Sequence, residues 1–369
     1  MSSSDTLNFG IVGAAGRGGS YRLGLQAAGG RIHAVCDVRA DKLDEAAKTL
    51  GASEKYTDCE EMLDKSDIDA IVVGTPMPYH VPQSVMALKR NVHVISEVPA
   101  AVSIEQCREL VAACKESSAV YMMGENFTYQ KPNQIVKELV RRGLFGEVYY
   151  AEGEYLHELK GLNEITTWRR KWQTGVRGIT YGTHSLGPIT QWMAGDRIVR
   201  VCCEDTGSHY KDPRGDAYAC DSATMLCKTA KRALIKIRVD MVSDRPHSMS
   251  NYQLQGTKGA YESARSVGEQ PKIWLADICK EKDKWMPLSE LEAEYLPEDW
   301  RVGGEEAKKA GHGGGDYFEV LDFIKAIKGE APCPIGIHET MDITLPGLVS
   351  QQSVLQDGAW LEVPDSREW

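Results

Sequence analysis

The feature that most constrains the fold is an alternation. Through residue 125, short apolar runs take turns with amphipathic segments: "LNFGIV", "RIHAVCD", "DAIVVGTP", "NVHVIS" and "AVYMMGEN" read as strands. Between them, residues 17–28, 41–50, 80–90 and 103–117 read as helices, with Gly51 as one stop and Ser103 as one N-cap. Strands joined by helical crossovers at this spacing predict a parallel, doubly wound sheet.

After residue 126 the pattern changes. A helix at 131–142 ends at Gly143, and then "EVYYAEGEYLHE", "IVRVCCED", "SATMLCKT", "RALIKIRVDM", "SNYQLQGTKGAYES" and "KIWLAD" follow with turns between them. Such runs predict one large open sheet, mainly antiparallel. Residues 316–328 read as a helix and 297–315, rich in Gly, Lys and Glu, as a loop. The expected fold is an α/β Rossmann domain over 1–125 and an α+β substrate domain over 126–369. The C-terminal segment of the second is expected to pack back on the first.

Composition narrows the partners. The 369 residues carry a net charge of −10, which disfavours nucleic acid or an anionic membrane as partner. No apolar run approaches the roughly 18 residues of a membrane span. "MSSSDTLNFG" lacks the basic and apolar regions of a signal peptide, so a cytoplasmic protein is expected. The ten cysteines are scattered with no CxxC pair, and free thiols in a reducing compartment are the expectation. No histidine spacing of the HExxH type suggests a metal site.

The first strand runs into "GIVGAAGRGGSY". A dinucleotide turn places glycines where backbone must approach a pyrophosphate. Here the three positions are Gly13, Ala15 and Gly18, with Gly16 keeping the turn permissive and Arg17 within reach of a phosphate. Asp37, 24 residues after Gly13, ends the second strand, where a carboxylate accepts bonds from the adenosine ribose and favours NAD. Arg39, two residues on, is the residue type that would instead meet a 2′-phosphate. Later strand ends point to the same crevice: "GTPMPYH" with Thr75, Pro76, Tyr79 and His80, then Glu97, then Asn126. Taken singly each is an ordinary loop residue; taken together at successive strand ends they outline a cofactor site.

Chemistry beside a nicotinamide needs a proton acceptor. "GITYGTHSLGPITQW" pairs Tyr181 with His184 among glycines, just ahead of a helix expected from Leu186 to Met193. "EYLHE" sets Tyr155 and His157 on one face of a strand. "TWRRKWQ", with Trp168 and Arg169, reads either as a solvated turn or as a clamp on cofactor phosphates or an anionic sugar. "AGHGGGDYF" reads either as a hinge or as a device that places His312 and Asp316 in a cleft.

These residues together resemble the glucose–fructose oxidoreductase/inositol dehydrogenase (Gfo/Idh/MocA) family. Most members carry Glu-Lys-Pro after the fourth strand, where this chain has Glu97-Val98-Pro99. Within that family, "SEVPAAVSIEQC", "GENFTY", "GLFGEVYYAEGEYLHEL", "TWRRKW", "YGTHSLGPI", "RPHSMSNYQLQGTKGAYE" and "GHGGGDYF" resemble glycoside hydrolase family 109. Those are NAD-dependent glycosidases typified by α-N-acetylgalactosaminidase, and the similarity runs over nearly the whole chain. Ala15 departs from the usual glycine.

The resemblance implies Glu125, Tyr155, Tyr181 and His184 around the reacting sugar, with His157 nearby, retention of configuration and tightly held NAD. Oxidation at sugar C3 would make the C2 proton removable; its loss would expel the C1 group, water would add back, and C3 would be reduced again. In that scheme His184 or Tyr181 serves the C3 hydroxyl and Tyr155 the C2 proton. Small glycosides are the expected partners, and the open sheet is expected to join copies of the chain into a homo-oligomer. The rivals are a plain NAD-dependent sugar or cyclitol dehydrogenase and, less favoured, a non-catalytic NAD or sugar sensor.

Overall fold

The computed structural model describes residues 6–307 and 310–369, with the side chains of 304–306 also left aside. The signal-peptide reading of residues 1–5 and the loop reading of 308–309 lie outside the described residues. Two compact units emerge: Met1–Gln130 with Asp299–Met341 and Ser366–Trp369, and Lys131–Glu298 with Asp342–Asp365.

The first unit holds a six-stranded parallel sheet: β1 (Asn8–Val12), β2 (Arg31–Cys36), β3 (Glu54–Tyr56), β4 (Ala70–Val73), β5 (His93–Glu97) and β6 (Tyr121–Gly124), in the order β3-β2-β1-β4-β5-β6. The central strands are continuous buried runs, as a sheet covered on both faces demands; Ala70 to Val73 are all fully buried. Because β2 and β4 flank β1 on opposite sides, the order reverses there, and ligands of such sheets bind outside the carboxyl strand ends at that point. Ser103 caps its helix as expected, its hydroxyl accepting from Gln106 N at 3.2 Å. The segment 17–28 begins as a 3₁₀ turn, Arg17–Tyr21, before the helix Arg22–Ala27.

Several elements escape the sequence pattern. Edge strand β3, "EKY", has a charged residue at two of its three positions and no alternation to reveal it. The helix Cys59–Lys65 is short, although Asp58 caps it by accepting from Glu61 N. Residues Glu298–Ala307, expected as part of a loop, form a helix. Trp300 stacks on Phe318 at 4.2 Å, and that apolar contact overrides the helix-weakening glycines. The helix Gly315–Ile327 packs on Arg22–Ala27, where a Cβ on Gly24 would stand 2.6 Å from the Asp316 carbonyl oxygen. A further helix, Ile337–Val354, has no period to announce it: Pro346 lies inside it and buried Thr340, Thr344 and Ser350 interrupt its apolar side.

The second unit is built on nine strands: β7 (Val148–Leu156), β8 (Ile198–Asp205), β9 (Ser222–Thr229), β10 (Leu234–Asp240), β11 (Met249–Gly256), β12 (Gly259–Glu262), β13 (Lys272–Leu275), β14 (Met286–Pro287) and β15 (Leu361–Glu362). The order is β14-β13-β12-β11-β7-β10-β9-β8-β15, and β7 with β10 is the parallel pair in an otherwise antiparallel sheet. The helix Thr183–Trp192 lies on β7 unusually closely. A Cβ on Gly153, mid-strand in β7, would stand 2.3 Å from the Ser185 carbonyl oxygen, so only glycine fits. Tyr252 of β11 donates its hydroxyl proton to the His184 carbonyl at 2.6 Å and ties the same helix end to the sheet.

Candidate active site

The nucleotide end of the first unit starts at the turn after β1. Gly13 has φ +81°, and a Cβ there would lie 2.6 Å from the Gly74 carbonyl oxygen, so the turn packs backbone to backbone against the end of β4. Ala15 keeps an ordinary negative φ, which is why alanine is tolerated, and its N–H donates to Asp37 Oδ2 at 2.9 Å. Arg39 covers the same carboxylate: its backbone N–H and Nε donate to Oδ1 and Nη2 to Oδ2, at 2.9–3.1 Å. Burial raises the Asp37 pKa, but these bonds from Arg39 and Ala15 outweigh it and hold the group below the usual carboxylate range. For ribose hydroxyls to reach Asp37, the half-exposed Arg39 side chain has to swing aside.

Arg17 turns inward rather than toward solvent. Its Nε donates to Glu97 Oε1 at 2.6 Å, and Nη1 lies 3.7 Å from Asp316 Oδ2. Asp316 also accepts from Asn126 Nδ2 at 2.8 Å and meets His312 Nδ1 at 2.9 Å. The "AGHGGGDYF" stretch is thus a turn, His312–Gly314, that delivers His312 and Asp316 to the strand ends. Burial raises Asp316, yet His312, Arg17 and Asn126 bring it below its ordinary value. Glu319, one helical turn on, is fully buried with no hydrogen-bond partner on either oxygen among the described residues. Burial and the neighbouring Asp316 and Glu97 push its carboxyl well above the usual range.

The remaining strand-end residues divide. Asn126 keeps a buried Oδ1 with no partner among the described residues. Thr75 donates to Gln83, and Tyr79 is exposed. Pro76 precedes the 3₁₀ turn Met77–Tyr79. His80 is a brace: Nδ1 meets the Pro99 carbonyl and Nε2 the Thr75 carbonyl, both at 2.8 Å. A neutral ring donates to one of the two at a time, and burial is what holds it neutral. Val98 is buried and joined to Pro99 by a cis peptide bond. Glu125 is fully buried and caps the turn Asn126–Tyr129, accepting from Phe127 N, Thr128 N and Thr128 Oγ1 at 2.5–3.3 Å.

The second unit gathers the tyrosine and histidine candidates. Tyr155 is the last residue but one of β7, and its hydroxyl lies 2.8 Å from His157 Nδ1. His184 sits in the first turn of its helix rather than ahead of it, and its Nε2 is 3.5 Å from the Tyr181 hydroxyl. Ring centroids of Tyr155 are 5.5 Å from Tyr181 and 5.4 Å from His184. Burial, then Tyr181, pushes the Tyr155 phenol well above its ordinary pKa, with Arg169 opposing. His157 is brought down to about 4 by burial and by His247, Arg169 and His184. "TWRRKW" holds a short helix, Trp168–Trp172, in place of a turn, and none of its residues is buried. Arg169 donates to Thr166 and Gln173 at 2.9 Å and lies 4.6 Å over the Trp168 ring. Arg170 pairs with the buried Asp212. Sequence reasoning did not single out Glu319 or His247; the histidine lies inside a quoted motif with nothing in its spacing to mark it.

The comparisons with known proteins agree with this architecture. Residues 7–125 match the family described as oxidoreductase family, NAD-binding Rossmann fold, and residues 129–368 match glycosyl hydrolase 109, C-terminal domain. The chain is 32% identical to a glycosyl hydrolase family 109 protein of Saccharopolyspora erythraea, over 98% of this chain and 83% of that one. It is 26% identical to the alpha-N-acetylgalactosaminidase of Shewanella oneidensis, over 98% and 85%. Among solved structures, a levoglucosan dehydrogenase in complex with NADH and levoglucosan shares the fold at TM-score 0.82 and 18% identity, covering 98% of this chain and all of that one. The chain belongs to glycosyl hydrolase family 109. It is a glycoside hydrolase built on an NAD-binding Rossmann fold, and NAD is its cofactor.

The residues present fit that cofactor. From Gly13 to Gly16 no side chain exceeds a methyl group, which opens the backbone to a diphosphate. Asn126 Oδ1 is a buried acceptor in need of a donor such as a ribose hydroxyl. Among the described residues no group of three or more His, Cys, Asp or Glu could hold a metal ion.

Proposed function

We propose that this protein hydrolyses small glycosides with retention of configuration, and that Tyr155, Tyr181 and His184, with His157 behind Tyr155, do its acid–base work. One observation carries the reading: these four side chains converge in one unit, with ring centroids 5.3–5.6 Å apart in successive pairs. NAD, when bound, supplies a reversible two-electron acceptor for the sugar C3–H, so that no net oxidation accompanies a cycle. His184 or Tyr181 takes the C3 hydroxyl proton and later returns it. Tyr155 removes the C2 proton, made acidic by a neighbouring carbonyl, and the C1 group departs with its electron pair. Water then adds to C1 on the face that group left, and Tyr155 returns the proton to C2.

On this reading residues 1–125 are the NAD-binding domain and 126–369 the substrate-binding and catalytic domain. Gly13, Ala15, Gly16, Arg17, Gly18, Asp37, Arg39, Thr75, Pro76, Tyr79, Glu97 and Asn126 line the cofactor, with His80 as a brace. Trp168 and Arg169 meet a phosphate or an acidic group of the sugar, and Glu125 supports the strand end that carries Asn126. The absence of a lysine at position 98 favours a base drawn from the tyrosines and histidines.

A cytoplasmic setting is supported by ten free cysteines, and no described helix is long and apolar enough to cross a membrane. A homo-oligomer formed through the sheet is supported by the row Tyr150, Gln255, Ala260 and Trp274, which register places side by side on the face carrying the Lys236–Glu152 and Lys272–Glu262 ion pairs. A net charge of −10 speaks against nucleic acid and anionic membrane as partners.

The test is an assay on nitrophenyl glycosides that follows nitrophenol and reduced nicotinamide together. Nitrophenol without accumulating NADH supports the glycosidase. Stoichiometric NADH would make the protein a dehydrogenase, and neither product, with sugar binding intact, would make it a sensor.

A further inference from the structure

His157 and His247 touch. Their rings stand T-shaped with centroids 5.1 Å apart, and the Tyr155 ring stands T-shaped to His157 at 5.6 Å. The three differ in exposure: Tyr155 is buried at the end of β7, His157 is intermediate just beyond it, and His247 is exposed in the loop before β11. Nothing in the chemistry described above uses His247.

We propose that His247 is a positioning residue that keeps His157 neutral, so that His157 Nδ1 stays an acceptor for the Tyr155 hydroxyl proton. The inference rests on the reading of Tyr155 as the base at C2. Tyr155 is a phenol that burial disfavours as a phenolate. It becomes a base only if its own proton has somewhere to go, and the 2.8 Å contact to Nδ1 provides that place. The step balances. The sugar C2–H bond breaks and its proton goes to the Tyr155 oxygen as the Tyr155 proton passes to His157 Nδ1. The C–H electron pair enters the conjugated C2–C3 system, and nothing is oxidised or reduced in that step. When water adds, Tyr155, its proton by then exchanged with solvent, protonates C2 and takes a proton back from His157 Nδ1. An already protonated His157 could not take part, because Nδ1 would then donate.

Several groups face His157. Tyr155 comes from its own strand, His184 from the helix Thr183–Trp192, Arg169 from the helix Trp168–Trp172, and His247 from the loop before β11. None is a carboxylate that would favour the imidazolium. Burial is the largest influence holding the ring down to about 4, and His247 follows it ahead of Arg169 and His184. His247 contributes both ways, as cover and as a like charge when protonated.

The experiment is a titration of ¹³C-labelled histidine rings by NMR in the NAD-bound protein, with the His157 signal identified by its loss in His157→Gln. Native protein, His247→Phe and His247→Ala are compared, and C2 deuterium exchange is followed against pH in the same samples. Phenylalanine keeps the ring packing and removes the charge. The His157 midpoint should rise by roughly one pH unit in His247→Phe and further in His247→Ala. The acid limb of C2 exchange should move up with it, because exchange needs the neutral ring. A midpoint unmoved in both variants overturns the proposal. Absence of C2 exchange in the native protein would instead sink the glycosidase reading, while the titration would still decide what His247 does.

Discussion

The candidate groups of the two units reach opposite outcomes. In the first, Arg17 lies against Glu97 and near Asp316, and Arg39 wraps Asp37, so charge survives burial. Burial draws Arg17 down, but Glu97, Tyr21, Asp316 and Glu319 together raise it above its ordinary value. In the second, Tyr155 and His157 face each other and further aromatic rings, and burial drives both to the neutral form. The difference lies in the partners available. A buried group bonded to a counter-ion stays charged and fixed, while one without such a bond, as Tyr155 and His157 are, is driven by burial toward its neutral form. Glu319 shows the rule inside the first unit. One guanidinium pairs with Glu97 and lies near Asp316, and the third carboxyl, without a hydrogen-bond partner among the described residues, is pushed by burial well above the usual carboxylate range.

The comparison breaks most severely at Tyr155. Tyr155→Phe leaves the first unit untouched and removes the group assigned to C2. Glycosidase turnover and C2 deuterium exchange should fall by about 10³-fold or more, with NAD affinity unchanged by calorimetry. Next is Arg17→Met, which strips the cation from Glu97 and Asp316. Thermal unfolding should show a loss of about 3 kcal/mol, and NAD should bind more weakly, while the His157 titration stays where it is.

Glu319→Gln sharpens the rule in the other direction. A carboxyl whose folded pKa lies above its unfolded one stabilises fully below the unfolded value and loses that contribution as pH rises through the folded one. Glutamine has no such loss, so the variant should melt about 2–6 °C above the native protein at pH 8 and no higher near pH 4. The smallest effect is expected at Arg39. Arg39→Ala exposes the Asp37 carboxylate and should tighten NAD by roughly fivefold or less, while NADP gains nothing.

The legible parts of this chain are those where one physical pattern dominates. The buried runs of β1, β4 and β5 have no competing reading, and the glycine turn followed by Asp37 carries its own geometry. Tyr155, His157, Tyr181 and His184 are legible as candidates from their spacing, but their convergence depends on Gly153, which lets a helix carbonyl approach β7. No periodicity reveals such a contact. The helix Glu298–Ala307 was hidden because its stability comes from a ring stack with Phe318, a partner outside its own segment. The Arg17–Asp316 and His157–His247 contacts join residues far apart in sequence, and single-chain reading has no means of pairing them.

The central claim is a hydrolysis that passes through loss of the C2 proton without net oxidation. Its most direct measurement is turnover of a nitrophenyl glycoside in D₂O, with the released sugar examined for deuterium at C2 and the cofactor followed by absorbance. The account predicts deuterium at C2, retained configuration at C1 and no accumulated NADH. Nitrophenol released from a sugar that keeps its original C2 hydrogen would contradict it.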